Sequence, residues 1–339
     1  MRVALDAQLT VGTATGIGVY QRDLAAALRA GGTDVRELRA PWLDPWRFDR
    51  RVVWDQVLLP ALAARSGASV LHASAGTLPL ARTLPTLVTV HDLAWLRVQG
   101  HTRAYARAYF GTLMRRLYAR ADTVVLDSAF SRDEFAAAVG DRDVHVVFPG
   151  VDARFAAIVR APAARPFALA VGTVERRKNL IRAIETIAAV PGIDLIAAGP
   201  PTPYLDDVRA RIAELGVGDR VTLRGYVTRD ELDALYASAT VALVPSTYEG
   251  FGYAVAEALC AGVPAIAARS SSLVEVAAGD ATLVDPHDGT GWIDAVRALL
   301  ANRDAAQRAA DAARPAAVAR FGWARAAAAF AALYARCGQ

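Results

Sequence analysis

The sequence predicts an α/β protein with two domains of similar size, each built on a parallel β-sheet. The length of 339 residues exceeds one ordinary α/β domain and suits two domains of about 150 to 170 residues. Hydrophobic residues account for 54% of the chain and charged residues for 21%, so that two sizeable cores can form. Both halves alternate short β-branched runs with longer segments rich in Ala, Leu and Arg, which is the pattern of βαβ units.

The first half contains five predicted strands separated by four predicted helices. Short β-branched runs predict the strands Val3–Asp6, Ser69–His72, Leu87–Val90, Thr123–Asp127 and Val144–Val147. The segments between them predict helices at about Gly18–Ala30, Asp55–Ala64, Arg103–Ala119 and Arg132–Val139. An Ala/Pro-rich stretch from Ala161 to Pro166 is interpreted as a linker, and the first domain is expected to cover residues 1–163.

The second half repeats the βα series. Its predicted strands are Phe167–Val171, Asp194–Ala198, Val221–Leu223, Val241–Val244, Pro264–Ala267 and Thr282–Val284. Its predicted helices are Leu180–Ala189, Tyr204–Leu215, Arg229–Ser238, Tyr253–Ala261 and Trp292–Ala301. The second domain is expected at residues 164–315, followed by an Ala-rich helix (Ala316–Arg336, within residues 316–339) that crosses back to the first domain. Ligands of such folds bind at the C-terminal ends of the strands, so two facing domains predict a ligand cleft between them.

Composition argues against several classes of protein. No stretch approaches the roughly 20 apolar residues that cross a bilayer, and MRVALDA has the pattern of a short strand rather than of a secretory signal. Cys260 and Cys337 make neither a disulfide framework nor a metal site, so a reducing cytoplasm is the expected location. Nucleic acid is not an expected partner, because the chain has no dense basic stripe, zinc-finger spacing or aromatic RNA motif. Residues 1–160 carry 20 basic and 15 acidic side chains, a surplus compatible with ordinary surface charge or with peripheral contact with the cytoplasmic membrane face.

The segment VGTVERRKN brings cations to the start of a predicted helix. Gly172 follows a strand, and Arg176, Arg177 and Lys178 come next as the helix begins. Unpaired amides at a helix N-terminus favour phosphate, and two cations beside them would stabilise a leaving diphosphate. Lys178 is the only lysine in the chain, which indicates a site that needs a compact point charge. A solvated helix start is the alternative.

Two glutamates frame a glycine-containing loop in EGFGYAVAEALCAGVPAIA. Glu249 lies in the loop and Glu257 follows eight residues later, early on a helix, while Gly250 and Gly252 let backbone amides approach a ligand. A loop carboxylate can accept hydrogen bonds from sugar hydroxyls, and one on the helix can bridge the two hydroxyls of a ribose. The alternative is a surface Glu followed by a Glu that stabilises the start of the helix.

Two further patterns in the first half, a His-Asp pair and an Arg/Tyr-rich segment, each have more than one interpretation. His91 and Asp92 follow a predicted strand, where α/β sites form, and such a pair also suits a hydrolase or a metal site. No matching ligand set supports metal, and the Asp141-x-Asp143 pattern is interpreted as an exposed turn. The segment RAYARAYFGTLMRRLYAR, residues 103–120, fits a core-packing helix with extended arginines better than a membrane-lying helix.

Taken together, these segments resemble glycosyltransferase family 4, retaining enzymes of the GT-B fold. The resemblance rests on the Glu-(seven residues)-Glu segment and on GTVERRKN, which is similar to the family's diphosphate-binding segment in its "GT…RKN" version. It extends over nearly the whole chain through GIGVY, HDLAW, DSAFSRDEF, VVFPGVD and RGYVTRDELDALYASA. Many members have Arg directly after the glycine where this chain has Thr173, and Arg177 is expected to take that role.

The resemblance implies a role for individual residues. Arg177, Lys178, Glu249 and His91 are the implied catalytic residues, with the two cations on the donor diphosphate and Glu249 and His91 on the transferred sugar. The resemblance also implies a set of donor-binding residues. Gly16 and Gly18 would form a flexible loop below the phosphates, and the backbone around Tyr226 and Val227 would lie against the base. The amides of Phe251 and Gly252 would lie near sugar or phosphate, Glu257 would bind the ribose, and Gly172 also belongs to the donor site.

The resemblance also implies a reaction and its partners. We expect metal-independent transfer, without a cofactor, of a hexose from a nucleotide sugar to a glycan or lipid-linked glycan in polysaccharide or lipopolysaccharide assembly. The RKN version is similar to bacterial mannosyltransferases, so GDP-mannose is the first donor expected and UDP-glucose or another UDP-hexose the second.

Three other classes of protein would show different sequence patterns. A nucleotide-sugar epimerase should lack the glutamate segment beside RKN, and a dinucleotide oxidoreductase should carry G-x-G-x-x-G after its first strand. A non-catalytic sugar-nucleotide-binding protein would keep Glu257 and lack turnover.

Overall fold

A computed structural model of the protein shows two compact α/β units, and it describes residues 1–12, 16–97, 108–140 and 144–338. The first unit comprises Met1–Gly150 and Gly322–Gln339, and the second comprises Val151–Phe321. The expected domain limits at residues 163 and 315 were therefore wrong by 13 and 6 residues. Residues 151–163 belong to the second unit because the amides of Ala161 and Ala163 donate to the carbonyls of Ala237 and Ser238 there.

The first unit contains a six-stranded parallel sheet with the order β2-β1-β3-β4-β5-β6. Its strands are β1 (Arg2–Asp6), β2 (Asp34–Leu38), β3 (Val70–Ala73), β4 (Thr86–Val90), β5 (Thr123–Leu126) and β6 (Val144–Val146). Its helices before the second unit are α1 (Gly16–Ala30), α2 (Phe48–Val53), α3 (Leu59–Ala64), α4 (Ala94–Arg97), α5 (Arg115–Tyr118) and α6 (Ala129–Val139). Wider helical turns at Trp54–Leu58 and Ala108–Met114 precede α3 and α5.

Two features of the first unit depart from the sequence prediction. Strand β2 was missed because its sequence, DVREL, is charged and lies at the sheet edge, with only Val35 and Leu38 buried. The predicted helix Arg103–Ala119 is described from Ala108 onward, and its first part lies outside the described residues. In the described part, Met114 and Leu117 are buried while the arginines are exposed, as in a core-packing helix.

The second unit has a six-stranded parallel sheet with the order β12-β11-β10-β7-β8-β9. Its strands are β7 (Phe167–Val171), β8 (Asp194–Ala198), β9 (Val221–Gly225), β10 (Val241–Val244), β11 (Ala265–Ala268) and β12 (Thr282–Val284). Its helices are α7 (Ala153–Ala157), α8 (Leu180–Ala189), α9 (Leu205–Leu215), α10 (Arg229–Ser238), α11 (Tyr253–Ala261), α12 (Leu273–Ala277), α13 (Gly289–Ala301) and α14 (Arg303–Arg320). This is the doubly wound strand order, which reverses between β7 and β10, and such folds bind ligands where the order reverses.

The C-terminal segment forms two helices rather than the single predicted one. Helix α14 continues through Pro315 to Arg320, and α15 (Trp323–Cys337) begins after an extended Gly322. Proline usually interrupts a helix. Beside Pro315, Arg314 donates to carbonyls of α11, of α7 and of Ile158 directly after α7. In the first unit, α15 packs Phe330 and Tyr334 into the core beside β1 and β3. No helix within the described ranges is long and apolar enough to cross a membrane.

A buried ionic network lies in the first unit at the carboxyl end of β1. Arg51 donates from Nε to Asp55 at 3.0 Å, and its Nη2 lies 3.7 Å from Oδ2 of Asp6. Both carboxylates are fully buried, and Trp54 Nε1 donates to Asp6 at 3.0 Å. Arg51 is therefore the cation that compensates two carboxyl groups removed from water.

Close backbone contact joins the ends of β7 and β8 in the second unit. Gly199 has a φ of +157°, and a Cβ atom there would lie 2.0 Å from the carbonyl oxygen of Gly172. The amide of Gly172 in turn donates to the carbonyl of Ala198 at 2.9 Å. Only glycine fits at position 199 without displacing the segment that follows β7.

Replacement of Arg51 by leucine should destabilise the first unit. The change leaves Asp6 and Asp55 buried without a cation, and the loss of one partner of a buried pair costs about 3–5 kcal/mol. Urea denaturation followed by tryptophan fluorescence measures this. Arg47→Leu is the matched control, since Arg47 and its partner Asp49 are exposed, and it should unfold like the wild type. Equal midpoints for the two variants would show that the buried network contributes nothing.

Gly199→Ala should destabilise the second unit by about 1–3 kcal/mol, the usual cost of inserting a methyl group into filled space. Gly218→Ala is the control, because nothing lies within 4 Å of a Cβ at that position. Thermal unfolding of both variants measures the difference. A Gly199→Ala protein as stable as the control would mean that the segment after β7 moves aside without cost.

Candidate functional site

A short turn carries the three cations of the RRK segment past the end of β7. Residues Arg176–Lys178 form a single 3₁₀ turn, and Asn179 adopts a left-handed conformation (φ 53°) before α8 begins at Leu180. The cations thus lie just before the predicted helix rather than in its first turn. They reach the carboxyl edge of the sheet at the point where the strand order reverses.

Two of these cations converge on the glutamate that follows β10. Lys178 Nζ lies 2.6 Å from Glu249 Oε1, and Arg177 Nη1 lies 2.8 Å from Glu249 Oε2. Arg177 also contacts Glu175 at 2.8 Å and the carbonyl of Tyr248 at 3.1 Å. Lys178 uses one of its three N–H donors on Glu249.

The third cation takes a different direction. Arg176 pairs with Asp207 of α9, and its guanidinium lies 4.8 Å from the ring centroid of Tyr204. Its side chain is mostly exposed. Arg176 is therefore a surface residue of this unit, whereas Arg177 and Lys178 belong to the site.

The charges of this cluster keep Glu249 ionised. Burial alone would raise the pKa of Glu249, but the neighbouring charges of Lys178 and Arg177 outweigh it, so its pKa lies below the ordinary value. The residue is nearly fully buried. Glu249 is thus a fixed carboxylate with each oxygen bound by a cation.

Three consecutive serines after β11 hold the loop that carries Glu249. The amide of Glu249 donates to Ser271 Oγ at 2.9 Å, and Ser272 Oγ lies 2.9 Å from the Glu249 carbonyl. Ser270 Oγ donates to the carbonyl of Ser246 at 2.7 Å. Ser271 has a positive φ of 46°, which is uncommon for serine and brings its hydroxyl to the loop. This support was not predicted from the sequence, although a run of three serines begins one residue after the buried strand β11.

Glu257 lies on α11 and is bound by a tyrosine that sequence reasoning also missed. Tyr236 of α10 donates from its hydroxyl to Glu257 Oε2 at 2.9 Å. Burial raises the pKa of Glu257 to about 7, against the lowering effects of the Tyr236 hydrogen bond and of the charges of Arg154 and Lys178. Lys178 thus acts electrostatically on both glutamates of the motif.

The remaining predicted donor-binding residues lie around this cluster. Gly172, in a positive-φ conformation, lies beneath the side chain of Lys178 and lines a cavity of about 30 Å³ between the ends of β7 and β10. Phe251 is buried, and Gly252 (φ 102°) is the residue before α11, where a Cβ atom would lie 2.4 Å from Cδ2 of Leu273. Tyr226 and Val227 follow the edge strand β9, two strands from β7, and the Tyr226 side chain is 67% exposed.

A second polar group lies in the first unit, where three strands end. His91 follows β4, with Nδ1 2.7 Å from Asp127 Oδ2 and Nε2 3.0 Å from the carbonyl of Ser74. Asp127 follows β5 and Ser74 follows β3, while the ring of Tyr20 meets His91 edge-on at 4.6 Å. The sequence analysis assigned no role to Asp127, although it begins the quoted segment DSAFSRDEF.

The partners of His91 favour its protonated form. Burial acts to lower the pKa of His91, but the Asp127 carboxylate and the Ser74 carbonyl more than offset this and raise it. Both ring nitrogens face acceptor oxygens, and only the doubly protonated ring can donate to both. Both ring nitrogens therefore have their partners, Asp127 and the Ser74 carbonyl, within the first unit.

The prediction that Gly16 and Gly18 form a flexible loop was wrong. Both lie in the first turn of α1, and Gly18 is buried there. Residues 13–15, which precede the helix, lie outside the described residues. That expectation came from the family resemblance, and in this structure the segment from Gly16 onward is helical.

Among the described residues, no group of three His, Cys, Asp or Glu side chains is arranged to hold a metal ion. The Asp141-x-Asp143 pattern lies outside the described residues.

Family models match both halves of the chain. Residues 14–155 match the model described as Glycosyltransferase Family 4, and residues 153–315 match the model described as Glycosyl transferases group 1. The two matches together span both units, and each signature residue discussed above lies inside one of them.

Individual glycosyltransferases are similar in sequence to parts of this chain. A D-inositol 3-phosphate glycosyltransferase of Xylanimonas cellulosilytica is 37% identical over 215 residues, which cover 57% of this chain and 51% of that protein. A GDP-mannose-dependent alpha-(1-6)-phosphatidylinositol monomannoside mannosyltransferase of Mycobacterium tuberculosis is 32% identical over 236 residues, 62% of this chain and 61% of its own. The matched part of this chain thus spans about half the length of such relatives.

The fold recurs over whole chains. The structure of a sucrose-phosphate synthase from Thermosynechococcus elongatus superimposes with a TM-score of 0.80 at 21% identity, covering 99% of this chain and 98% of the other. The chain therefore has the two-domain α/β architecture of the GT-B glycosyltransferases and belongs to glycosyltransferase family 4.

Proposed function

We propose that the protein is a retaining glycosyltransferase that moves a hexose from a nucleoside diphosphate sugar to an acceptor hydroxyl. One observation carries the proposal: Lys178 and Arg177, after β7, meet Glu249, after β10, where the strand order of the second sheet reverses. Cations suit a diphosphate, and a fixed carboxylate beside them suits sugar hydroxyls. The family to which the chain belongs supports the same reaction class.

In the proposed reaction the bond between the anomeric carbon and the diphosphate oxygen breaks while the acceptor oxygen bonds to that carbon on the same face. The acceptor proton passes to an oxygen of the leaving phosphate, so that no side chain is needed as a base. Lys178 and Arg177 stabilise the negative charge that grows on the diphosphate, and Glu249 orients the sugar. Glu257 accepts hydrogen bonds from the ribose hydroxyls.

GDP-mannose is the proposed donor and a glycan or lipid-linked glycan the proposed acceptor, as in polysaccharide or lipopolysaccharide assembly. The similarity to a mycobacterial GDP-mannose-dependent mannosyltransferase supports this choice. The relative from Xylanimonas cellulosilytica is a D-inositol 3-phosphate glycosyltransferase, so the relatives do not all point to the same substrates. A UDP-hexose is the alternative donor.

The proposal includes transfer without a metal ion and peripheral contact with the cytoplasmic membrane face. Two cationic side chains take the place that a divalent cation would have on a diphosphate. The basic surplus of residues 1–160 would favour an anionic membrane surface that presents a lipid-linked acceptor.

Lys178→Ala should lower kcat for release of nucleoside diphosphate by about 10²- to 10³-fold, the usual effect of removing one stabilising donor from a leaving group or oxyanion. Coupled spectrophotometric detection of the released nucleotide measures this. Lys178→Arg should recover only part of the rate, since a planar guanidinium does not reproduce a compact ammonium.

Arg176→Ala is the matched control for Lys178→Ala. Arg176 belongs to the same turn but faces Asp207 and Tyr204, so its removal should leave kcat close to that of the wild type. Equal losses in the Arg176 and Lys178 variants would contradict the assignment, because the cations would then act only through the general charge of the turn.

A donor panel tests the sugar and the base. GDP-mannose should be bound and turned over with the highest kcat/KM among GDP- and UDP-hexoses, and the rate should persist in excess EDTA. Isothermal titration with each donor and the nucleotide-release assay measure both properties. Preference for a UDP-hexose would replace the mannose assignment, sensitivity to EDTA would contradict the metal-free mechanism, and failure of every nucleotide sugar to bind would overturn the transferase proposal.

A further inference from the structure

Tyr236 connects the hydrophobic core of the second unit to the glutamate on α11. It is fully buried, and its ring meets that of Phe155 edge-on at 5.2 Å. The guanidinium of Arg154 lies 4.3 Å from the Phe155 ring centroid. The Tyr236 hydroxyl donates to Glu257 Oε2 at 2.9 Å.

This hydrogen bond favours the ionised form of Glu257. Burial and the Glu257 carboxylate raise the pKa of Tyr236 well above its ordinary value, so the phenol keeps its proton. Towards the Glu257 carboxylate the phenol can only donate, and this stabilises the ionised glutamate more than the protonated one. Because Oε2 is occupied by Tyr236, Oε1 is the oxygen left for a ligand.

We propose that Tyr236 is a positioning residue for the nucleotide sugar, holding Glu257 in place as a carboxylate with Oε1 available to the ribose hydroxyls. The inference rests on the proposed function, in which Glu257 binds the ribose. It adds a residue that does not itself touch the donor and acts through Glu257.

Several charged groups from the surrounding elements set the ionisation of Glu257. Arg154 of α7 and Lys178 of the 3₁₀ turn favour the carboxylate, and Asp152 at the start of α7 disfavours it. Cys260, one turn further along α11, is held as a thiol because burial and Glu257 raise its pKa to about 12. With the pKa of Glu257 at about 7, the loss of one hydrogen bond to the carboxylate changes its ionised fraction at neutral pH.

Tyr236→Phe tests the inference while keeping the ring that packs on Phe155. At pH 7 the variant should show a KM for the donor about ten-fold higher, as expected for the loss of a hydrogen bond to a charged group, with kcat changed much less. The acid limb of kcat/KM should move up by about one pH unit, because a carboxylate without its donor is protonated more readily. At pH 9, where Glu257 is ionised in both proteins, most of the lost kcat/KM should return.

The recovery at high pH separates positioning from damage to the fold. A variant that is merely misfolded would stay impaired at pH 9, and thermal unfolding of both proteins provides an independent check. An acid limb that does not move, or a KM equal to that of the wild type, would overturn the inference.

A double-mutant cycle with Glu257→Gln completes the test. Glutamine cannot ionise, so Tyr236→Phe in the Glu257→Gln background should have no further effect on the donor KM if the tyrosine acts through Glu257. Independent losses in the two backgrounds would overturn the inference while leaving the transferase proposal intact. Failure of the wild-type protein to bind any nucleotide sugar would contradict the proposed function instead, so the two failures are distinguishable.

Discussion

The pairing of β7 with β10 is the constraint on which the site depends. Chain order reverses at this pair, so the loops that leave the two strands emerge side by side with no helix between them. Lys178 comes from one loop and Glu249 from the other, although 71 residues separate them in the chain. The glycines at 172 and 199 allow the neighbouring strand ends to approach closely enough to keep the first loop in place.

Electrostatics then decides what this loop pair can bind. Glu175 and Glu249 supply two negative charges, and Arg177 and Lys178 supply two positive ones, so the four residues balance without a ligand. A diphosphate that reaches the cations adds negative charge beside Glu249 and must share Lys178 with it. Lys178 suits this position because an ammonium has three donors on one atom, whereas the fork of Arg177 already spans two carboxylates.

Long periodic elements were predictable from the sequence, and contacts between distant segments were not. Helices Leu180–Ala189 and Arg229–Ser238 have the predicted bounds, since their apolar spacing is independent of context. The motif residues were found because family 4 enzymes share them. The charged edge strand β2 and the helix through Pro315 were missed because tertiary contacts override local propensity there. No sequence pattern links Asp127 to His91.

The bonding of His91 bears on the chemistry of transfer. Both ring nitrogens of His91 are engaged, by Asp127 and by the Ser74 carbonyl, and these acceptors favour the protonated ring, which is a poor base for an acceptor hydroxyl. The proposed reaction therefore uses a phosphate oxygen of the donor as the base, since Glu249 is already held by two cations. The positive charge that these partners favour on His91 would lie at the carboxyl edge of the first sheet. Near neutrality the pH dependence of transfer should include the ionisation of Glu257, because burial raises the pKa of that carboxyl group to about 7.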